Sequence, residues 1–404
     1  MQTNRFTFML LMSSLMAMSA LCMDMMLPAL PNIMASLNKQ QGNEQQQIIS
    51  LLFFGVAAGV LFGGGLSDRF GRKNLIYWSV IPFMLGTPFV LLTDNIFWVL
   101  CGRLLQGVSL GIIRAVVFAM IRDKFGGSDM AKVSAYVLSM FILVTMIAPL
   151  IGQKLLYVMN WQGLFVLVAI LMLMSVIWLA LKQPETLLPK YRNNSVFSSL
   201  WLCTKTLMRN RFALSITIAS GVMNGVHLTY ILISEQLLVG QYSVGSEFGW
   251  WFALLSLPIA FAAFVNGKLL KYYSVWNVSG VAVLLFLLAS ASCSVWMLIY
   301  KAELSFIGLI VYLSIMMFCS GITTGNFTAL AMEPMGQMAG AASSLINSIA
   351  SLVSFFIGWA IGNQYNQSML AISLGFLICA CFVIAGLIIA RRSVHFITGI
   401  PYAS

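Results

Sequence analysis

Along the chain, apolar residues come in long unbroken runs separated by short polar breaks. Twelve runs stand out, at 6–34, 46–66, 74–92, 96–121, 132–156, 163–182, 212–235, 247–267, 278–299, 305–332, 338–362 and 369–390. Each is close to the roughly 20 residues that an α-helix needs to cross about 30 Å of hydrocarbon. Transmembrane strands would instead alternate apolar and polar residues, with turns about every ten positions. A helix closes its backbone hydrogen bonds within itself, so these runs predict an all-α membrane protein with twelve transmembrane helices. Most connections are very short, which makes successive helices antiparallel neighbours. The exception is 183–211, whose Pro, Asn and charged residues read as a linker with a helix along the membrane surface. It separates an N-terminal six-helix half, 1–182, from a C-terminal six-helix half with a short tail, 212–404.

Composition narrows the class. Only 8% of the 404 residues are charged and 60% are hydrophobic, against about 25% charged in a soluble globular protein. That excludes a soluble enzyme, a nucleic-acid-binding domain and a disordered scaffold. The net charge of +11 is spread over short loops between apolar runs, so it implies a lipid bilayer and not a nucleic acid as partner. The seven Cys (22, 101, 203, 293, 319, 379 and 381) fall mostly inside apolar runs without zinc-like spacing, and there are two His. No metal and no cofactor are expected. The apolar stretch from Phe6 past Leu27 is far longer than a signal-peptide core, so no cleavable leader is read there.

Lys and Arg set the orientation. With a cytoplasmic N-terminus, 17 of the 22 lie on the inner side and three (Lys39, Lys154, Lys301) on the outer, with Arg103 and Arg114 inside the fourth segment. Both termini are therefore expected in the cytoplasm, in a multi-pass protein of the cell inner membrane, and a monomer is expected.

Charge inside apolar segments points to function, because an ionised side chain there is costly. Of eleven acids, Asp24 alone lies well inside a run. Arg103, on a segment running the other way, comes at a comparable depth, and an Asp24–Arg103 interaction is expected. Arg114 follows Arg103 by eleven residues, about three helical turns and about 16 Å, so the two share a face and are read as a cavity that receives negative charge. Asn224 and His227, one turn apart on the seventh segment, are weaker binding candidates. Glu235 is placed at the outer end of that segment, in solvent.

The loop after the second segment reads Gly64-Gly65-Leu66-Ser67-Asp68-Arg69-Phe70-Gly71-Arg72-Lys73. It resembles the major facilitator superfamily signature G-x-L-x-D-R-x-G-R-K. Asp24-Met25-Met26-Leu27-Pro28-Ala29-Leu30-Pro31 is similar to the D-x-x-x-P-x-x-P motif of drug:proton antiporters, and Arg103-Leu104-Leu105-Gln106-Gly107 to their R-x-x-Q-G motif, with Arg122-Asp123 closing that segment. The stretch from Glu333-Pro334 through Ala339-Gly340-Ala341-Ala342-Ser343-Ser344-Leu345 resembles the bicyclomycin/chloramphenicol-resistance (Bcr/CflA) transporters. One motif departs: where the antiporters carry G-P-x-x-G-G, this chain has Ala148-Pro149-Leu150-Ile151-Gly152-Gln153, keeping Pro149 and Gly152. That leaves transport as the expectation and weakens the inference to export.

The resemblance implies the major facilitator fold of two six-helix halves and adjoining first and fourth helices. It implies a cytoplasmic latch at Gly64, Asp68, Arg69, Gly71 and Arg72, with Asp123 as a second acid, that breaks when the halves rock. No phosphate-binding loop is present, so an ion gradient is expected to drive transport. The expectation is a proton-coupled exporter of a small neutral or anionic compound or drug, with Asp24 and Arg103 coupling protons and Arg114, Asn224 and His227 binding substrate. Alternatives are a carrier of a specific anionic metabolite such as a carboxylate siderophore, in either direction, and a non-transporting membrane sensor. An enzyme is not expected.

Overall fold

A computed structural model describes residues 4–39, 43–187, 192 and 196–398. Parts of the linker and the last six residues of the tail lie outside that range. Among the described residues, twelve helices are long and apolar enough to cross a membrane. The first span is α1 (Arg5–Asp24), a 3₁₀ turn (Leu27–Ala29) and α2 (Leu30–Ser36). The next five are α3 (Glu44–Phe70), α4 (Arg72–Leu91), α5 (Ile96–Lys124), α6 (Gly127–Leu155) and α7 (Trp161–Lys182). After α8 (Val196–Arg209) come α9 (Arg211–Glu235), α10 (Phe248–Leu269), α11 (Val275–Tyr300), α12 (Phe306–Met332), α13 (Ala339–Gly362) and α14 (Met369–Thr398). Every expected span is present, with ends within five residues of those expected except that the seventh runs on to Gln241 and the last to Thr398.

Side chains in the loops start many of these helices. Asn95 accepts from the Phe97 N–H at 2.9 Å, Asn160 from Gly163 at 3.0 Å, and Ser274 from Asn277 at 3.2 Å. Each satisfies a donor that the first helical turn leaves free. Gly71, at φ +97°, ends α3 and opens α4 in one residue. That conformation favours glycine, and it makes the turn of the 64–73 loop. Within the linker, α8 buries Cys203 and Leu207 and exposes Trp201 and Met208, an amphipathic helix where a surface helix was expected.

By packing, the chain falls into two units: Met1–Leu200 with Ser234–Leu254, and Trp201–Ile233 with Leu255–Ser404. In the first, α3 and α5 touch backbone to backbone. A Cβ on Gly55 would strike the Leu104 carbonyl, on Gly59 the Val108 carbonyl, on Gly107 the Leu52 carbonyl and on Gly111 the Val56 carbonyl. Small residues four apart allow this approach, and in lipid it replaces the hydrophobic drive that packs soluble helices. The second unit is held by polar contacts inside an apolar frame. Asn326 and Asn266 pair at 2.8 Å, Ser320 Oγ donates to the Met223 carbonyl at 3.0 Å, and Ser294 Oγ meets Ser373 Oγ at 3.1 Å. Large apolar side chains such as Val281, Leu288 and Phe382 stand on its outside, more than half exposed, as lipid-facing residues do.

Candidate functional site

The site grows from a break in the first span. Pro28 has no N–H to give to the carbonyl of Asp24, four residues back, so α1 ends at Asp24. The chain continues through the 3₁₀ turn, in which the Leu30 N–H takes the Leu27 carbonyl, and resumes as α2. Asp24 is 2% exposed, and its Oδ1 has no hydrogen-bond partner among the described residues. Thr145 of α6 is the polar side chain beside the carboxyl. Gly152 of α6 packs on the same break: a Cβ there would strike the Met25 carbonyl. Pro149 is buried one turn earlier. The two residues kept from the family's helix-packing motif thus fit α6 onto the residue after Asp24.

Arg103 does not pair with Asp24. Fully buried, it donates Nε to the Ile48 carbonyl at 3.1 Å, Nη2 to the Cys22 carbonyl at 3.0 Å, and Nη1 to Gln106 Oε1 at 3.0 Å. Its guanidinium also lies 5.5 Å from the Phe165 ring centre. The expected ion pair is replaced by a brace that ties α5 to α3 and to the turn of α1 carrying Asp24. Depth along a helix was legible in the sequence, but the carbonyls that capture the fork were not. Nor does Arg103 belong to an anion-receiving stripe, because its donors are occupied by the protein itself.

Arg114 is different. It is half-buried, makes no hydrogen bond or ion pair among the described residues, and faces Phe141 at 6.0 Å. Asn224 and His227, half-buried on α9 in the second unit, also make no hydrogen bond among the described residues. Glu235, expected in solvent, is 5% exposed and accepts from Gln45 at 2.9 Å. The seventh span continues past it as a π-helix, Gln236–Gln241, so residue 235 is not at the end. The Glu333-Pro334 stretch forms a 3₁₀ turn ahead of α13; the side chains of Gly336, Gln337 and Ala339 lie outside the described residues.

The 64–73 loop folds into a charged network. Arg72, 2% exposed, bonds Asp123 through Nε at 2.9 Å and Nη2 at 3.3 Å, and reaches Asp68 and Ser67 through Nη1. Arg69 is exposed over the Phe70 ring. Glu185, after α7, was not singled out from the sequence. Its carboxylate accepts from the N–H groups of Arg72 and Lys73, both at 3.1 Å, capping α4. A Cβ on Gly71 would stand 2.8 Å from Glu185 Oε2, so glycine there leaves room for the cap. Thr186 adds a hydroxyl to Asp123 at 3.1 Å. The available signal was an acid directly after a Pro at a helix end, in a stretch read as linker.

The family model described as Major Facilitator Superfamily matches residues 12–359. The chain belongs to the major facilitator superfamily. A bicyclomycin resistance protein homolog of Haemophilus influenzae is 24% identical, over 95% of each chain. The multidrug resistance protein MdtL of Shigella dysenteriae is 27% identical, over 92% of this chain and 94% of its own. These relatives fit the Bcr/CflA drug-efflux family that the motifs resemble. Among solved structures, the POT family transporter PepTSo superposes over the whole of both chains with a TM-score of 0.72 at 13% identity, a likeness of fold. The protein is thus a multi-pass membrane transporter of this superfamily and not an enzyme.

Proposed function

We propose that this transporter is a proton-coupled antiporter of the inner membrane, with both termini cytoplasmic, that exports a small neutral or anionic compound. The observation that carries this reading is Asp24, a buried carboxyl with an unpartnered oxygen at a break in the first span. Broken helices in secondary transporters mark substrate and coupling-ion sites. A charge without a partner in such a place is costly, and a proton removes that cost. Asp24 therefore exchanges its proton against substrate, while Arg103 positions the turn through the Cys22 carbonyl.

The substrate class follows from Arg114. An arginine with no carboxylate partner repels a permanent cation in a low-dielectric site and offers a planar fork to carboxylate or phosphate groups. The drug-resistance names of the relatives support export of a foreign compound. Asn224 and His227, polar side chains on α9 without a hydrogen bond among the described residues, remain further candidate binding residues. The 64–73 network ties the ends of α3, α4, α5 and α7 within one unit and so holds the face from which a cytoplasmic latch would act. Transport in everted vesicles with an imposed pH gradient, across neutral, cationic and anionic compounds, tests the reading. Accumulation of a neutral or anionic compound that collapses with the gradient supports it; accumulation of quaternary ammonium compounds alone contradicts the substrate class.

A further inference from the structure

The start of α3 meets the stretch in which the seventh span passes from α to π winding. Gln45 Nε2 donates to Glu235 Oε2 at 2.9 Å, and Gln46 Nε2 donates to Gln236 Oε1 at 2.9 Å. Gln45 is 0% exposed, and its Oε1 is a buried acceptor with no donor among the described residues. Among the described residues, no cation or second acid pairs with Glu235, and the Gln45 amide donates to its carboxyl. Three charged residues at this end have other partners, and Lys154 lies over the Tyr157 ring. Lys39 pairs with Glu44 at 3.3 Å, and Glu247 takes the Trp251 indole N–H at 3.0 Å.

A carboxylic acid and a primary amide are complementary, each with one donor and one acceptor to give the other. The amide N–H already reaches Glu235. A proton on the Glu235 carboxyl would supply the donor that Gln45 Oε1 lacks. An ionised Glu235 leaves that oxygen unsatisfied and facing a negative charge in a dry site, and unmet buried acceptors are costly.

We propose that Glu235 is a second protonatable residue of the transport cycle: its neutral acid closes a reciprocal pair with Gln45 and holds α3 to the 235–241 stretch, and loss of the proton opens that contact. The pair lies an odd number of crossings from the N-terminus, so on the orientation proposed above it faces outside. This inference rests on that reading. A proton taken from outside closes the outer end and returns outside on opening, so Glu235 sets access without adding to the protons carried. Gln153 joins elements at the same end without a titratable group: its Nε2 donates to the Gly245 carbonyl at 3.0 Å, and its Oε1 accepts from the Gly249 N–H at 2.8 Å. That clamp is expected to ignore pH.

Spin-label distances on the purified full chain in lipid nanodiscs test this without any substrate. Labels go on Gln47→Cys, half-buried on α3, and Ser243→Cys, exposed, with Cys101→Ser and Cys381→Ser as background. Between about pH 5 and about pH 9, the short-distance population should fall as pH rises. Glu235→Gln keeps a reciprocal amide pair, so it should stay short throughout. Gln45→Leu should be long throughout, and Asp24→Asn should respond as the parent does. A parent insensitive to pH, or a Glu235→Gln variant that follows the parent, overturns the proposal. So does loss of the response in Asp24→Asn. A failure of Asp24 to couple transport leaves these distances unchanged, so the two readings fail separately.

Discussion

Arg103 holds the carbonyl of Cys22 at 3.0 Å, and through it the end of α1 that carries Asp24. The same guanidinium takes the Ile48 carbonyl and the Gln106 amide oxygen. Removing it leaves several buried acceptors unmet at once. Arg103→Ala is therefore expected to destabilise the folded protein by on the order of 3 kcal/mol, with Arg103→Lys recovering part of that. Thermal unfolding of the purified variants checks the order. If Arg103→Ala unfolds with the parent, the brace has no structural weight.

The charged network at the 64–73 loop separates turnover from affinity. Asp68 and Asp123 bind Arg72 at the ends of α3 and α5, well away from the break at Asp24. Asp68→Asn and Asp123→Asn should each lower turnover about tenfold, equivalent to about 1.4 kcal/mol of barrier, with the apparent binding constant little changed. Initial rates against substrate concentration decide this. A weakened binding constant at unchanged turnover would place these acids in the substrate site.

Glu185 supplies the cap that the sequence reading passed over. Glu185→Gln keeps its size and loses the charge that serves two backbone N–H groups and favours a helix N-terminus. Hydrogen exchange at the first turn of α4 should rise several-fold, with the rest of α4 protected as before. Unchanged exchange would show that the contact is incidental.

Arg114 tests the substrate class. Arg114→Ala should weaken binding of an anionic substrate more than Arg114→Lys, because lysine keeps the charge and loses the fork. Robust transport of a quaternary ammonium dye, indifferent to Arg114→Ala, would remove Arg114 from substrate recognition.

Much of the fold was legible because it rests on local signals. Twelve apolar runs of spanning length became twelve helices, and Asp24, Arg103 and Arg114 stood out as charges in apolar surroundings. Pro28 and Pro31 were visible as a motif, though the end of α1 at Asp24 emerged only with the structure. What stayed hidden depends on residues far apart in sequence. Nothing near Arg103 announces that it spends its donors on Ile48 and Cys22. Glu235 looked like a helix-end acid until the π stretch and Gln45 enclosed it. Gln153 read only as a lost glycine, yet its amide fastens the Gly245–Gly249 turn. The spacing of Gly55, Gly59 and Gly63 with Gly107 and Gly111 was present all along, and four-residue periodicity of glycine in an apolar run was the signal to follow.

The most direct test of the central claim is the Asp24→Asn variant in vesicles, measured both for accumulation driven by a pH gradient and for substrate exchange without one. If Asp24 carries the exchanged proton, accumulation is lost while exchange persists. An Asp24→Asn protein that still concentrates substrate against its gradient contradicts the account.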